Sequence, residues 1–236
     1  MSTTLTEQDI RTHFNTRSFL RARVLIDFRR ALIGSLLGPT EVPALLDIGC
    51  GDGTISRPLI ERGAAATLID LSDEMLAAAT SSLSADARSR VRALCQGFSA
   101  SSNLGQFDLV LCIGVLAYAP DVVQFIGAVA RHVAPGGRCV LQYTDTACVS
   151  GRLLKRYSHW RTRRQQDNVA ARLTWMTKSD IHEACKQHGL SLVASKSHLP
   201  IPPGGQHLPF TVVRSLMSAS AALGVGCERY LLLSKV

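Results

Sequence analysis

The chain has no apolar run long enough to span a bilayer, although 46% of its 236 residues are hydrophobic. It also lacks the h-region of a signal peptide at its N-terminus, so a soluble, cytoplasmic protein is expected. No CxxC pair occurs among Cys50, Cys95, Cys112, Cys139, Cys148, Cys185 and Cys227. Seven is an odd number and the seven are scattered, which excludes a thiolate metal site and a disulfide framework. They read as small buried hydrophobes in a reducing compartment, and no metal is expected. No repeat or low-complexity tract interrupts the chain, and its length suits one α/β domain with additions. Acids are scarce, with 18 Asp and Glu against 26 Lys and Arg, a net charge of +8. Six arginines between Arg11 and Arg30 face only Asp27, and seven basic residues between Arg152 and Arg172 face only Asp167. A solvated helix face accounts for any one of them. Two clusters flanking a catalytic core also suit an anionic substrate or partner.

The chain is organised around the stretch from Ala44 to Ser56. Leu45, Leu46 and Ile48 form the short apolar run of a strand covered on both faces. Gly49, Gly51 and Gly53 then allow a tight turn and close approach to a ligand. Thr54 is placed to cap a following helix, Thr54 to Arg62, which Gly63 stops. Asp70 closes a second apolar run, about 20 residues beyond the glycines, where an open α/β sheet places an acid for a ribose diol. The glycines fall at i, i+2 and i+4, which is not the dinucleotide-binding spacing.

Upstream, Thr6 to Leu37 reads as two helices, with Thr6 and Asp9 as a capping pair and apolar residues at Phe19, Leu20, Val24, Phe28, Leu32 and Leu36. Downstream, Ser72 caps a helix from Asp73 to Leu83. Val91 to Cys95, Phe107 to Ile113 and Arg138 to Tyr143 are strands, with a helix from Val122 to His132 and a turn at Pro135-Gly136-Gly137. Ser150 to Arg172 is a basic helix or loop. Thr177 caps a helix to His188, Leu190 to His198 is a sixth strand and Arg229 to Lys235 a seventh. Between these two strands lies an insert that opens with Pro200, Pro202 and Pro203 and then offers a small-residue helix, Thr211 to Leu223. The insert suits a lid, a substrate wall or the contact of a homodimer, and equally a plain surface elaboration. Alternating strands and helices imply a mostly parallel sheet with helices on both faces.

Asp47 followed by Gly49, Gly51 and Gly53 resembles the first motif of class I S-adenosylmethionine-dependent methyltransferases. Asp70-Leu71-Ser72 with Met75-Leu76 resembles their second. Phe107-Asp108-Leu109-Val110, then Val115 to Asp121, is similar to their strand-four motif. Ala134-Pro135-Gly136-Gly137 resembles the turn before strand five. The resemblance covers Leu45 to Tyr143. It implies a Rossmann-like α/β fold of seven strands, with an N-terminal helical cap (1–40) and a methyltransferase domain (41–236) that carries the basic segment 150–172 and the insert 199–227. It implies S-adenosyl-L-methionine as cofactor, S-adenosyl-L-homocysteine as product and no required metal.

By the same resemblance, Gly49, Cys50, Gly51 and Gly53 border the methionine moiety and Asp47 orients their loop. Asp70 accepts both ribose hydroxyls. Leu71, Gly97 and Phe98 enclose adenine, and Cys112 and Ile113 end strand four beside the sulfonium. The chain departs from the family at Gln96-Gly97-Phe98-Ser99, where an acid often holds the adenine amino group. Phe98 then packs beside adenine and Ser99 or a backbone group makes the polar contact.

On the acceptor side, Thr12 to Phe19 and Val115 to Pro120 together resemble the magnesium-protoporphyrin IX methyltransferase family. That family has an aromatic–Phe–Asn segment in the first place and a histidine near the second. Here His13 and Tyr118 stand there, offering one base and one hydrogen-bond donor as catalytic candidates. Tyr143, His159, Trp160 and Arg161 are candidates for substrate binding, since an aromatic beside arginines holds an anionic ring system. The resemblance implies in-line methyl transfer to an oxygen, or a nitrogen, of a small anionic or aromatic metabolite. A nucleic-acid methyltransferase is the alternative that the charge favours. Against it, Ile113-Gly114-Val115-Leu116 stands where an Asp/Asn-Pro-Pro-Tyr tetrad belongs, and no RNA-binding module is visible. A third reading is a cofactor-binding protein without transfer activity, acting as a partner subunit or rearrangement catalyst.

Overall fold

Apolar residues that alternate along the central strands decide the layering. In β1 (Ala44–Ile48), Leu45 packs into one core and Leu46 with Ile48 into another. In β4 (Phe107–Cys112), Leu109 and Leu111 join the first core while Val110 and Cys112 join the second. The first core is completed by α1 (Arg23–Leu37), α2 (Arg57–Glu61), α3 (Asp73–Ser81) and α4 (Ala85–Ser89). The second is completed by α5 (Val122–Arg131) and, farther along the chain, the helix Lys178–Gln187. The computed structural model describes residues 23–99, 101–165, 173–200 and 210–236.

The remaining strands are β2 (Ala65–Asp70), β3 (Val91–Cys95), β5 (Val133–Thr144), β6 (Leu190–His198) and β7 (Glu228–Lys235). Their order across the sheet is β3-β2-β1-β4-β5-β7-β6. β1 to β5 run parallel, and β7 enters antiparallel between β5 and β6. This is the seven-stranded, mostly parallel, Rossmann-like sheet that the sequence leads one to expect. The described part of the basic segment is a helix, α6 (Val149–Gln165); α7 is Lys178–Gln187, and the insert carries α8 (Phe210–Ala222). No helix among the described residues is long and apolar enough to cross a membrane.

Local chemistry explains most boundaries. Ser72 accepts from the Met75 amide at 3.3 Å, and Thr177 forms a reciprocal capping box with Asp180. Elsewhere the structure corrects the sequence reading. Thr54 caps no helix: Asp52 Oδ1 accepts its amide at 3.0 Å, and α2 begins only at Arg57. Pro135-Gly136-Gly137 is not a turn ahead of β5 but an irregularity within it, between the pairs Phe107–Val133 and Leu109–Arg138. Cys95 is exposed, because β3 is an edge strand, and Cys148 is only partly buried; the other five cysteines are buried. The Thr6–Asp9 capping pair lies outside the described residues.

Candidate active site

The strand order reverses between β1 and β4, and a crevice opens at the carboxyl ends of the strands there, as α/β sheets require. A cavity of about 460 Å³ fills it, within the range of about 300–1,000 Å³ usual for small-molecule sites.

The turn after β1 forms its floor. Gly49 and Cys50 donate their amides to Ile69 O at 2.8 and 3.0 Å, which ties the turn to β2. Gly49 has φ of +68°, and a Cβ there would run into Cγ2 of Val115. The position therefore excludes other residues twice over, by conformation and by contact. Asp70 ends β2 at the cavity wall. Its Oδ2 accepts from Gly51 N at 2.8 Å and its Oδ1 from Ser72 N at 3.0 Å. Each oxygen keeps a further acceptor site.

Asp47 lies behind this turn, 3% exposed, and its Oδ2 has no hydrogen-bond partner. Burial pushes its carboxyl up to about 7; the Ser56 hydroxyl lowers it and the charge of Asp70 raises it further.

Of the residues expected at a cofactor, Gly49, Gly51, Asp70, Leu71, Gly97, Phe98 and Ile113 line this one cavity. Phe98 is held edge-on by Phe125 and His132, with centroids at 5.3 and 5.6 Å. Asp47, Cys50, Gly53 and Cys112 stand behind the wall. Cys50 turns into the core beside α2, Gly53 packs on Ala79 of α3, and strand alternation sends Cys112 into the opposite layer.

Tyr118 lines the cavity as well. It ends a 3₁₀ turn, Leu116–Tyr118, that Thr174 fastens through its amide to Ala117 O and its hydroxyl to Ala119 O, both at 2.8 Å. His13 and the side chain of Arg161 lie outside the described residues. Tyr143 is 2% exposed within the β5 core, with no partner for its hydroxyl, and does not reach the cavity. Burial, first of several causes, raises its phenol above the ordinary range. His159 stacks on Trp175 at 6.2 Å, and Trp160 is half exposed; neither lines the cavity.

Arg29 does line it, the only cation in the wall among the described residues. Its Nε donates to Tyr230 Oη at 3.0 Å, and its guanidinium lies 3.7 Å from Glu228 Oε2. Burial works against its charge, but Tyr230, Glu228 and Tyr118 outweigh burial and hold it above its usual value. The sequence reading counted Arg29 only within a basic cluster. A signal was present: Arg29 interrupts the apolar stripe formed by Ile26, Leu32, Ile33 and Leu36, all buried. Among the described residues no group of acids, histidines and cysteines is arranged to hold a metal ion.

A sequence profile described as a methyltransferase domain matches residues 18–195. The chain is 39% identical over 102 residues to a ubiquinone biosynthesis O-methyltransferase of Psychrobacter cryohalolentis, a match covering 41% of this chain and 39% of that protein. A relative with the same description from Pseudomonas paraeruginosa is 35% identical over 117 residues, or 49% and 47% of the two chains. The matched stretch thus spans less than half of these curated relatives. Among solved structures, a magnesium protoporphyrin IX methyltransferase from Synechocystis PCC 6803 with bound S-adenosylmethionine superimposes with a TM-score of 0.62 at 17% identity, covering all of both chains. These similarities extend the likeness from the motifs to the whole fold.

Proposed function

The chain belongs to the methyltransferase-domain family, in the S-adenosylmethionine-dependent class I, and from that premise we propose that it methylates an oxygen of a small molecule. The observation that carries the reading is a single cavity in which the glycine turn, the acid Asp70 and the cation Arg29 meet.

The residues present fit S-adenosylmethionine group by group. Asp70, already fixed by two backbone amides, has lone pairs left for a ribose diol. Leu71 and Phe98 offer apolar faces for adenine. Gly49 keeps the turn open where any Cβ would fill it. Arg29 gives the methionine carboxylate a counter-charge, and Asp47, buried behind the glycine turn, keeps an unpartnered oxygen as an acceptor for its ammonium through water. When bound, S-adenosylmethionine supplies an electrophilic methyl group for in-line displacement by a lone pair.

The chain's part in catalysis is then to hold and to dry the site. Ile113, Val115 and Ala119 line the cavity with apolar surface. An anionic oxygen loses charge on the way to the transition state, so exclusion of water favours its reaction. Tyr118 lines the same cavity, beside the space for an acceptor, and orients an acceptor hydroxyl there. The descriptions of the curated relatives as O-methyltransferases support oxygen over nitrogen.

Titration calorimetry with S-adenosylmethionine and S-adenosylhomocysteine tests the proposal, followed by transfer of labelled methyl to phenols and carboxylic acids. Asp70→Ala is expected to weaken S-adenosylhomocysteine at least about tenfold, because hydrogen bonds to a charged acceptor each contribute about 1.5–3 kcal/mol. Unchanged affinity in that variant would sink the assignment.

A further inference from the structure

Behind the wall of the cavity lies a buried polar network that the chemistry above does not use. Tyr230, fully buried, accepts from Arg29 Nε at 3.0 Å and stacks on His198, whose Nε2 lies 3.2 Å from the same phenol oxygen. Glu228, 8% exposed, lies 3.7 Å from the Arg29 guanidinium. Its two oxygens also accept from Gln142 Nε2 at 2.6 Å and Thr144 Oγ1 at 2.8 Å. Gln142 in turn accepts at 2.8 Å the amide of Gly114, which lines the cavity. The antiparallel register dictates this assembly, since it sets Gln142 opposite Tyr230 and Thr144 opposite Glu228. Phe28 reinforces it from α1, meeting His198 edge-on at 5.0 Å.

A network with every member partnered is rigid, whereas a lone arginine is among the side chains richest in rotamers. Here one nitrogen of Arg29 is committed to Tyr230, one side of its guanidinium faces Glu228, and Nη1 is left toward the β4 loop. A Cβ on Gly114 would stand 3.8 Å from that nitrogen. We propose that Tyr230 and Glu228 are positioning residues: they aim the Arg29 guanidinium at the carboxylate of the cofactor's methionine moiety. The inference rests on the cofactor reading above. It gives a purpose to the β6–β7 pair and its insert, because Leu199 and Ser220, which join α8 to β6 by a 3.1 Å hydrogen bond, secure the strand end that carries His198.

The test compares two ligands by calorimetry. S-adenosylhomocysteine carries the carboxylate; 5′-methylthioadenosine has the same adenosine and thioether without it. Tyr230→Phe removes only the hydroxyl. It is expected to weaken S-adenosylhomocysteine about tenfold, as loss of orientation in a charge-assisted pair does, and to leave 5′-methylthioadenosine unchanged. In an Arg29→Met background the same substitution is expected to change S-adenosylhomocysteine by less than about twofold, since coupled residues are not additive. A merely structural role would weaken both ligands alike, and that result overturns the proposal. So does an equal loss in both backgrounds, or no loss. Should Tyr230→Phe fail to fold, Glu228→Gln enters the same cycle with the same outcomes. A parent protein that binds neither ligand overturns the cofactor reading itself. One that binds both equally leaves that reading standing and overturns this inference.

Discussion

At the scale of single residues, the site depends on charges kept in unfavourable places. Asp47 is the clearest case. An acid at 3% exposure with one unpartnered oxygen costs stability whenever it ionises, and burial moves its titration from 3.8 to about 7. The raised value fixes the sign of a pH effect. Between these two values the folded chain binds a proton at Asp47 that the unfolded chain has released, so the contribution of Asp47 to stability is fully present below about pH 4 and is lost as pH rises through about 7. Asp47→Asn is expected to melt above the parent at pH 8, by an amount on the order of 4 kcal/mol at about 1.4 kcal/mol per pKa unit. The difference should vanish near pH 4. Thermal melts across that range check it, and a constant difference would show that Asp47 does not titrate in the folded state. Asp70 was legible from spacing and Asp47 from the family resemblance, because a strand end and a glycine turn are local. Arg29 was not singled out, since its partners Glu228 and Tyr230 lie some 200 residues away along the chain.

At the scale of elements, turns separate what propensity decides from what contact decides. Ser72 and Thr177 cap their helices as their sequences indicate, because a cap needs only its next three residues. The start of α2 and the irregularity in β5 escaped the sequence, one set by the Asp52 side chain and the other by pairing with a distant strand. The β1 turn joins both kinds of constraint. Gly49→Ala places a Cβ at φ of +68° and drives it into Val115, which itself lines the cavity. Relief requires the β4 loop to move, so S-adenosylhomocysteine affinity is expected to fall about tenfold or more, on top of a backbone cost of about 1 kcal/mol. Gly63→Ala is the control. Its φ is +112° with nothing within 4 Å of a new Cβ. It is expected to lower the melting temperature alone, leaving affinity intact. Equal affinity loss in both variants would attribute the Gly49 effect to general destabilisation.

At the scale of the whole molecule, the parallel half of the sheet was foreseeable but the packing of α1 on its antiparallel end was not. Alternating strands and helices prescribe the parallel half. What they leave open is how α1 meets the antiparallel end, through Phe28 on His198, Arg29 on Tyr230 and Lys196 Nζ donating to Ser35 Oγ at 2.6 Å. These contacts make the cavity a joint between the two ends of the described chain, since its wall takes Arg29 from α1 and Arg29 is held by β7. A ligand that engages Asp70 and Arg29 together therefore stabilises the fold as a unit, not one loop of it. S-adenosylhomocysteine at a hundred times its dissociation constant is expected to add about 2.7 kcal/mol. For a domain of this size that raises the melting temperature by about 5–10 °C. Calorimetric scans should show one transition that moves as a whole, and Asp70→Ala at the same ligand concentration should cut the shift to about half or less. A transition that splits, with only one part responding, would mean that α1 and β7 do not share the ligand's binding energy, and the cavity would then belong to the parallel half alone.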